Sequence, residues 1–599
     1  MSNDKMAKPM VKGGKKAASP SPSKKRKFEG KGNHAKKGKK SFKPAKKKRV
    51  AVDPSKLKAE RKAARGGENL ESAKKLWERV LSKTISTKER SELVGQLWEI
   101  VSKRVEQYST SHDLTRILQS IVKYGSEAMR GTILEHLKGK MIELSKGKYS
   151  CFLVIALLKN LKEEQVAKIL REFTGQVRSI ASHAIGARVL DVVLRSLEPS
   201  KLHYDLATEL YGPEFLVFGK SAVNATSKSK NKKLKWRDLH RSLASDKLEA
   251  KVLKAVLAHL KQFVEKLSDK GILSLEFAHR LLHVYLTHCS KEDVQVVIPY
   301  VMNAFEHMVE TQGGVVCIRL AVRAADAKQR KKLVRLFRGR VVGMCDHPYA
   351  YRVLLEVLNV VDDTVLLKKV ILNELLSAPA ESLVRMINGS CGTGRRILMH
   401  ILKPGVPRYQ TQVDRESLED PRGLSTSKKL SADRQKEILS HSKDALVKLC
   451  DEHAKALYKD KKGCEFIAEV FETFASPSTR DALAEIVTTV AENGELRKMV
   501  EDRAAHYLFK RAVIAETQAN AEGGDKTFGA KLQSAMSGFV KDVLFINRPS
   551  IIIAELLKHP AAKKAMREHV LPFEEKLAEG AKEGKPAAAA TIVELLSSS

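Results

Sequence analysis

The sequence predicts an all-α fold, an α-solenoid (superhelix) of tandem helical repeats, because two separate groups of segments recur at a fixed spacing. The first group is STSHDLTRILQSIV, SKGKYSCFLVIALL and ASHAIGARVLDVVL, in which Arg116, Phe152 and Arg188 are 36 residues apart. The second group is EFAHRLLHVYL, GGVVCIRLAV and HPYAYRVLLEVL, which has the same period. A period of about 20–50 residues is typical of units that bury their apolar faces against their neighbours.

Length and composition agree with such an array. A chain of 599 residues is too long for one compact core, and 43% of its residues are hydrophobic, which is enough to bury a long one. Aromatic residues make up only 6%, as expected where aliphatic helices stack on one another. The composition therefore favours a long helical body.

Apolar residues recur at three- and four-residue steps from Ser72 onward, which predicts helices that cap the array ahead of the first repeat. Each repeat then reads as a helix, a short break and a more apolar helix. Weaker copies continue through CGTGRRILMHIL, KKGCEFIAEVF, RAAHYLFKRAV and RPSIIIAELL, so that about eleven units are expected. The aliphatic residues Ile117, Leu118, Val189 and Leu190 are predicted to lie in the core.

The chain divides into three predicted regions. These are a disordered Lys-rich tail at 1–68, capping helices with the N-terminal repeats at 69–403, and C-terminal repeats at 404–599. Polar stretches rich in Gly, Ser and Pro interrupt the repeats and are predicted to be loops. They are a basic insertion at 219–245 and the segments 404–434 and 517–529.

Positive charge is the strongest pointer to a partner. The net charge is +39, of which residues 1–65, with 24 Lys and Arg against 4 Asp and Glu, supply +20 and the rest of the chain +19. A polyanion explains basicity in both parts, and nucleic acid is the polyanion we expect. An anionic membrane is the alternative, but no apolar stretch approaches the roughly 20 residues that span a bilayer, and no hydrophobic signal core opens the chain. We therefore expect a soluble intracellular protein with no membrane partner.

The tail carries two short basic clusters, which are typical of nuclear import signals or of a non-specific nucleic-acid arm. A merely solubilising tail is the alternative. The clusters are Lys24, Lys25, Arg26 and Lys27, and Lys46, Lys47, Lys48 and Arg49. Nuclear localisation is the resulting prediction.

Neither catalysis nor metal binding has a motif in this sequence. The seven cysteines form no CxxC pair and lie in apolar segments, which predicts reduced thiols instead of disulfides or a zinc site. His112, His183 and His347 each precede a predicted helix and are expected to serve as caps. The patterns GxSxG, HExxH and GxxxxGK[ST] do not occur. We expect no enzyme, no cofactor and no metal.

One segment resembles a known nucleic-acid repeat. The run Thr115-Arg116-Ile117-Leu118-Gln119 is similar to the base-reading segment of Pumilio (PUF) repeats, in which two adjacent side chains and a third three positions on project from an inner helix. Residues i and i+3 share one helix face, and the resemblance implies that one unit meets one base. Later units place apolar residues at these positions, which cannot read a base edge. The sequence therefore predicts sequence-tolerant binding.

The whole layout resembles the divergent nucleolar branch of the PUF family, the Penguin or Puf-A proteins, which end in a CPL region. The segments that carry the resemblance are HDLTRILQSIVKYG, ELYG, VVDDTVLLKKVILNELL and INRPSIIIAELL. The resemblance implies an L-shaped array of about eleven repeats that binds RNA or DNA with little sequence preference. It also implies residence in the nucleolus and a role in large-subunit ribosome assembly and rRNA processing, or in translational control.

The predicted nucleic-acid contacts occupy the reading positions of the repeats or lie beside them. They are Thr115, Arg116, Gln119, Arg188, Arg280, Arg319, Tyr351, Arg352, Arg395, Arg396, Tyr507 and Lys510. The alternative for each arginine is a solvated position or an ion pair with the next unit. For the two tyrosines it is packing between helices instead of stacking on bases.

Three functions remain open at this point. The first is a nucleolar scaffold that binds RNA as a monomer. Its RNA is pre-rRNA or mRNA, either single-stranded or structured, DNA is a further ligand, and ribosome assembly factors are its partners. The second is a protein-binding adaptor of the armadillo or HEAT kind. The third is a sequence-selective mRNA repressor.

Overall fold

A computed structural model describes residues 67–196, 200–219, 243, 249–389, 392–519 and 526–598. Every regular element in these residues is helical and none is a strand, which confirms the predicted all-α repeat fold. Residues 1–66 of the predicted tail, with its two basic clusters, and most of the 219–245 insertion lie outside them. The repeats all lie within the unit Glu68–Ser599.

Two helices precede the repeats: α1 (Gly67–Leu81) and α2 (Thr87–Val101). The Trp77 indole of α1 donates a hydrogen bond to the Ser120 hydroxyl in the first repeat at 2.8 Å, and Lys74 pairs with Asp113 at 2.5 Å. These contacts fix α1 against the first repeat, as expected of a capping element.

Three units follow, each with a short first helix, an inner second helix and an outer third helix. Inner helices of successive units pack against one another. The units are α3 (Val105–Ser109), α4 (His112–Tyr124) and α5 (Glu127–His136); α6 (Met141–Lys146), α7 (Ser150–Asn160) and α8 (Glu163–Glu172); and α9 (Val177–Ala181), α10 (Gly186–Val193) and α11 (Lys201–Thr208).

Four further units follow a π-helical turn at Phe215–Gly219 and the insertion. Their helices are α12 (Ala250–Asp269), α13 (Glu276–His288), α14 (Lys291–Asn303), α15 (Phe305–Met308), α16 (Gln312–Ala324), α17 (Ala327–Arg335), α18 (Val341–Asp346), α19 (Tyr351–Val360), α20 (Thr364–Leu367), α21 (Asn373–Leu376), α22 (Ala380–Asn388) and α23 (Thr393–Leu402). The inner helices are α13, α16, α19 and α23. A π-helical turn at Lys368–Leu372 joins α20 to α21.

The C-terminal units are built in the same way. Their helices are α24 (Gln412–Leu418), α25 (Ser431–Leu457), α26 (Lys461–Phe474), α27 (Pro477–Glu492), α28 (Leu496–Glu501), α29 (Arg503–Gln518), α30 (Phe528–Met536), α31 (Val540–Val543), α32 (Asn547–Lys558), α33 (Lys563–Val570), α34 (Glu574–Glu583) and α35 (Ala589–Ser597). The long α25 serves both unit 7 and unit 8. The inner helices α26, α29, α32 and α35 bring the number of units in the described residues to eleven.

One continuous apolar core runs through the units, because each inner helix is covered on both sides. The predicted core residues Ile117, Leu118, Val189 and Leu190 are fully buried, which confirms that prediction. Burying such an aliphatic side chain contributes about 1.5–3 kcal/mol. Stacking of units therefore supplies the stability that a single helix pair lacks.

In several units a carboxylate near the end of the unit binds the turn that leads into the first helix of the same unit. Glu172 accepts hydrogen bonds from the backbone N–H groups of Gly139 at 2.8 Å, in the turn before α6, and of Met141 at 3.1 Å, the first residue of α6. Gly139 has φ 78°, a conformation that favours glycine. The same arrangement recurs with Glu209 below Gly175 and Val177, and with Glu374 below Gly339 and Val341.

The predicted histidine caps are present at two helices. The Nδ1 atom of His183 accepts from the Gly186 N–H, and that of His347 accepts from the Ala350 N–H, each at 3.1 Å. His112 instead pairs with Asp113 at 2.6 Å.

The six described cysteines are free and buried, and burial raises the pKa of Cys289 to about 11. Cys391 lies outside the described residues. Across the described ranges, no three His, Cys, Asp or Glu side chains gather in a way that could hold a metal ion. Within the same ranges, no helix has the length and apolar character that crossing a membrane requires.

Candidate nucleic-acid interface

The first three inner helices each offer one exposed side chain at the reading position. Arg116, Phe152 and Arg188 are exposed, whereas the residues just before and after each of them are buried. Because α4, α7 and α10 pack in succession, the three side chains lie on consecutive units. We call Arg116, Phe152 and Arg188 the N-terminal row.

The cations of this row are not neutralised by carboxylates. Among the described residues, neither Arg116 nor Arg188 forms an ion pair, and the Arg116 guanidinium lies 5.1 Å from the Trp77 ring centre. Gln119, one turn beyond Arg116, is half-buried. Phe152 is 50% exposed, so its ring is available for stacking. The row combines two guanidinium groups that have no acidic partner among the described residues with an exposed aromatic ring.

Thr115, predicted to contact nucleic acid, is not on the exposed face of α4 and cannot make that contact. Its side chain is fully buried, and its hydroxyl donates to the backbone oxygens of Tyr108 at 3.1 Å and Ser109 at 2.6 Å. The threonine therefore ties α4 to the preceding short helix.

The segment predicted as a loop at 404–434 is not a free loop. It includes α24, its last four residues begin α25, and its course runs from unit 7 back to unit 4 across the inner helices. At its far end the Arg422 guanidinium donates to the Leu286 carbonyl oxygen at 2.7 Å, and the Gly423 carbonyl accepts from the Lys291 ammonium at 3.1 Å. We call residues 404–430 the strap.

Asp414 is the centre of the strap. Its buried carboxylate accepts hydrogen bonds from the Tyr351 hydroxyl at 2.6 Å and from the Arg352 Nε atom at 2.9 Å, and Arg396 lies 3.4 Å away. Burial raises the pKa of Asp414, but hydrogen bonds from Thr411, Tyr351 and Arg352 outweigh it and bring the pKa below its usual range. The carboxylate is therefore ionised and satisfies the reading positions of units 6 and 7.

A second buried network lies under the strap. Glu356 is fully buried and accepts from the Arg323 Nε at 2.7 Å and from the Arg319 Nη2 at 3.2 Å. Arg319 and Arg323 also donate to the Ser417 carbonyl oxygen of the strap. Burial lowers the pKa of Arg319 from its usual value, although the neighbouring Glu356 opposes that effect.

The strap covers four of the predicted contact residues in the middle of the array, contrary to the prediction that nucleic acid reaches them. Tyr351 and Arg319 are buried, and Arg352 and Arg396 are mostly buried beside Asp414. Their polar groups already have protein partners, because a segment of this chain occupies the side that a ligand would approach. In this conformation none of the four is offered to nucleic acid.

Two other predicted arginines are also paired. Arg280 bonds to Glu276 at 2.6 Å on its own helix and keeps a quarter of its side chain exposed. Arg395 is buried and pairs with Glu465 of α26, so it is withdrawn from the candidate contacts. The alternative of an ion pair with the next unit therefore holds for Arg395, whereas Arg280 pairs within its own helix.

A second basic region lies among the C-terminal units. A cavity of about 290 Å³ is lined by Arg408, Lys461, Glu465, Arg503, Ala504, His506, Tyr507 and Arg548. Lys461 and Arg503 are exposed and form no ion pair within the described residues. Lys510, another predicted contact, is half-buried on α29, the helix that also carries Tyr507 of the cavity wall.

Tyr507 does not offer an open ring for stacking on bases. The Arg408 guanidinium lies 4.1 Å from its ring centre and that of Arg511 lies at 5.4 Å. The Arg511 guanidinium also donates to the Tyr507 hydroxyl at 2.6 Å. The side chains of Arg408 and Arg511 therefore pack against the Tyr507 ring. The ring makes a packing contact within the protein instead of the predicted contact with a base.

Sequence reasoning missed several exposed residues of these regions. Phe152 shares the 36-residue register with Arg116 and Arg188, so its position could have revealed it. Lys461 and Arg503 are the first residues of the inner helices α26 and α29, and they lie outside the 36-residue register. Only the folded chain brings them together.

Fold and site together define a helical-repeat protein with an exposed cationic and aromatic row on its first inner helices. The model of the NOP9-like PUF repeat domain matches residues 56–386, more than half of the chain, and the model of the CPL (NUC119) domain matches residues 392–523. The chain thus belongs to the PUF family, in its divergent Puf-A-like branch with a C-terminal CPL domain. This is a family of RNA-binding proteins.

Characterised relatives span most of the chain. It is 25% identical to Pumilio homolog 3 of Homo sapiens over 81% of this chain and 73% of that protein. It is 24% identical to Pumilio homology domain family member 6 of Saccharomyces cerevisiae over 79% of this chain and 70% of that protein. The crystal structure of human Puf-A has the same fold, with a TM-score of 0.70 at 23% identity over 88% of this chain and 98% of that one.

Proposed function

We propose that this protein binds nucleic acid, with RNA as its main partner, and that it does so with little preference for sequence. The observation that carries the proposal is the N-terminal row, in which each of three consecutive units exposes one side chain at its reading position. Guanidinium groups bind phosphates and an exposed ring stacks on any base, so both contacts are independent of sequence.

The same geometry argues against sequence reading. A unit that selects a base needs two or three side chains on one base edge. In unit 1 Thr115 is buried, and in unit 3 Asp191 is buried and accepts from the Phe277 N–H at 3.0 Å. Neither residue can reach a base, so each of these units lacks a complete set of reading groups.

The cellular setting we propose is the nucleolus, with a role in ribosome assembly. The family relationship and the two basic clusters of the tail support it. A structure of human Puf-A in complex with DNA supports the inclusion of DNA among the ligands. Within this proposal the RNA is a ribosomal precursor or a messenger, the protein acts as a monomer, and other assembly factors join it. The proposal includes no catalytic step.

Removing the two row arginines tests the proposal. We expect the full-length Arg116→Gln/Arg188→Gln variant to bind unrelated single-stranded RNAs roughly tenfold more weakly, because two phosphate contacts are lost. The slope of log K against log salt should become shallower by about 1.4, at about 0.7 per phosphate. Fluorescence anisotropy at four salt concentrations measures both quantities.

The matched control removes the same charge elsewhere. Arg335 and Arg338 are exposed at the outer side of unit 5, and the Arg335→Gln/Arg338→Gln variant should bind like the wild type. Equal affinities for wild type and the row variant would refute the role of the row. A loss confined to one RNA sequence would favour a sequence-selective repressor, and a shallow salt slope in the wild type would favour a protein adaptor.

Phe152 should contribute by stacking. Replacing it with Ala should weaken single-strand binding by about 1–3 kcal/mol, the range measured for base–aromatic stacking. The Phe152→Trp variant keeps an aromatic face and serves as the control. Binding of blunt duplex RNA, whose bases are already stacked, should change less than binding of single strands. Wild-type affinity of Phe152→Ala for single strands would exclude the stacking role.

A further inference from the structure

A third basic site lies where unit 3 meets α12. A cavity of about 590 Å³ is lined there by Lys146, Arg178, Ser179, Ser182, His183, His259, Gln262, Phe263, Lys266 and Lys270. These residues come from the end of α6, from α9 and the turn after it, and from α12. Four of them are Lys or Arg, and no carboxylate is among them. We call this cavity the junction pocket.

At several seams between neighbouring described units, a basic residue meets an acid of the adjacent unit. Examples are Lys162 with Glu127 at 2.7 Å and Lys168 with Glu135 at 3.5 Å. In the junction pocket, by contrast, Lys146, Arg178 and Lys266 have no ion pair with any described residue. Like charges repel one another, so such a cluster is most stable when an anion joins it.

The walls of the pocket are held in place by contacts between lining residues of α12 and of unit 3. The Lys270 ammonium donates to the Ser182 carbonyl oxygen at 2.6 Å, which fixes the end of α12 to unit 3. The Arg178 guanidinium lies 5.6 Å from the centre of the buried Phe263 ring. Arg178 is therefore held by packing, not by an acid, and its donors stay available.

The pKa of His259, a lining residue of the pocket, reflects burial and the nearby positive charge. Its Nε2 atom is buried without a hydrogen-bond partner among the described residues. Burial, and then the positive charge of Arg178, hold the pKa of His259 below its usual value, while Glu214 opposes them. The imidazole thus experiences the excess of positive charge that the lining residues imply.

We propose that the junction pocket binds phosphate groups of the nucleic-acid backbone, as an anchor separate from the N-terminal row. The inference rests on the proposed function and adds a site to it. Lys and Arg side chains bind phosphates through charge-assisted hydrogen bonds, and the serine hydroxyls and Gln262 add neutral donors. Binding here fixes the strand without reading it, because all the contacts go to its backbone.

Removal of two pocket cations tests the site. In the full-length Arg178→Gln/Lys266→Gln variant, affinity for RNAs of unrelated sequence should fall roughly tenfold, and the salt slope should become shallower by about 1.4. Both residues are exposed, so the fold should persist, as circular dichroism will check. The Arg178→Lys/Lys266→Arg variant keeps both charges and should retain most of the affinity.

The outcomes separate this site from the row. Wild-type affinity in the pocket variant, with a loss in the Arg116→Gln/Arg188→Gln variant, would overturn the junction pocket and leave the proposed function intact. Absence of salt-dependent RNA binding in the wild type would overturn both. Each RNA is measured with a 5′-hydroxyl and with a 5′-phosphate. A loss restricted to the phosphorylated strand would contradict backbone binding and assign the pocket to terminal phosphates.

Discussion

Replacing Glu356 with Gln is expected to lower the free energy of unfolding by about 3–5 kcal/mol, the range found when one partner of a buried ion pair is removed. The carboxylate is fully buried and accepts from both Arg319 and Arg323. A glutamine of the same size leaves two guanidinium groups away from water and without a counter-charge. It also turns an NH2 group toward donors, which costs a hydrogen bond.

Chemical denaturation followed by circular dichroism measures this effect, together with hydrogen exchange in α16 and α19. The control is Glu485→Gln, which breaks an exposed pair with Lys455 and should leave the unfolding transition almost unchanged. A Glu356→Gln protein that unfolds like the wild type would show that the network contributes no stability.

The periodic part of this molecule could be predicted from sequence. Residues at the 36-residue register, and the aliphatic residues around them, belong to inner helices that repeat the same contacts in every unit. Hence Ile117 and Val189 are buried, and Arg116 and Arg188 are exposed, as their positions in the pattern indicate. Where only neighbouring inner helices surround a position, its place in the period predicts its burial.

The strap could not be placed in this way. Its Pro, Gly and Ser content predicts irregular chain, but composition does not indicate the surface on which such chain lies. Its contacts join positions about a hundred residues apart, such as Arg323 and the Glu419 carbonyl oxygen. Every residue carries a backbone oxygen, so a hydrogen bond to that oxygen cannot be recognised from the residue type. As a result, an arginine at a reading position is exposed in unit 1, whereas arginines at the reading positions of units 5 to 7 are covered.

One ion pair beneath the strap could be recognised in the sequence. Arg319 and Glu356 are 37 residues apart, close to one period, which places them on neighbouring inner helices. Opposite charges at such a spacing predict an ion pair between units. A reading position with an acid one period away is thus a poorer candidate for nucleic acid than Arg116, whose guanidinium lies against Trp77.

Replacing Asp414 with Ala should release the strap. The carboxylate is the shared acceptor of Tyr351, Arg352 and Arg396, and all three would lose it. Removing one partner from a buried charged network costs about 3–5 kcal/mol, so docking of the strap should weaken by a similar amount. Hydrogen exchange at residues 411–428 should become faster, while exchange in α4 and α7 stays unchanged. Wild-type protection of the strap would show that Asp414 does not hold it.

Release of the strap has a consequence for binding. Without Asp414, the guanidinium groups of Arg352 and Arg396 reach solvent without a counter-charge, which extends the cationic row into units 6 and 7. RNA affinity should rise, and the slope of log K against log salt should become steeper by about 0.7 for each new phosphate contact. The control Glu416→Ala removes one negative charge from the same helix at an exposed position, and it should change neither the slope nor the exchange rates. Equal slopes for Asp414→Ala and Glu416→Ala would show that the strap does not limit access to the row, because a general gain in positive charge would then explain any change in affinity.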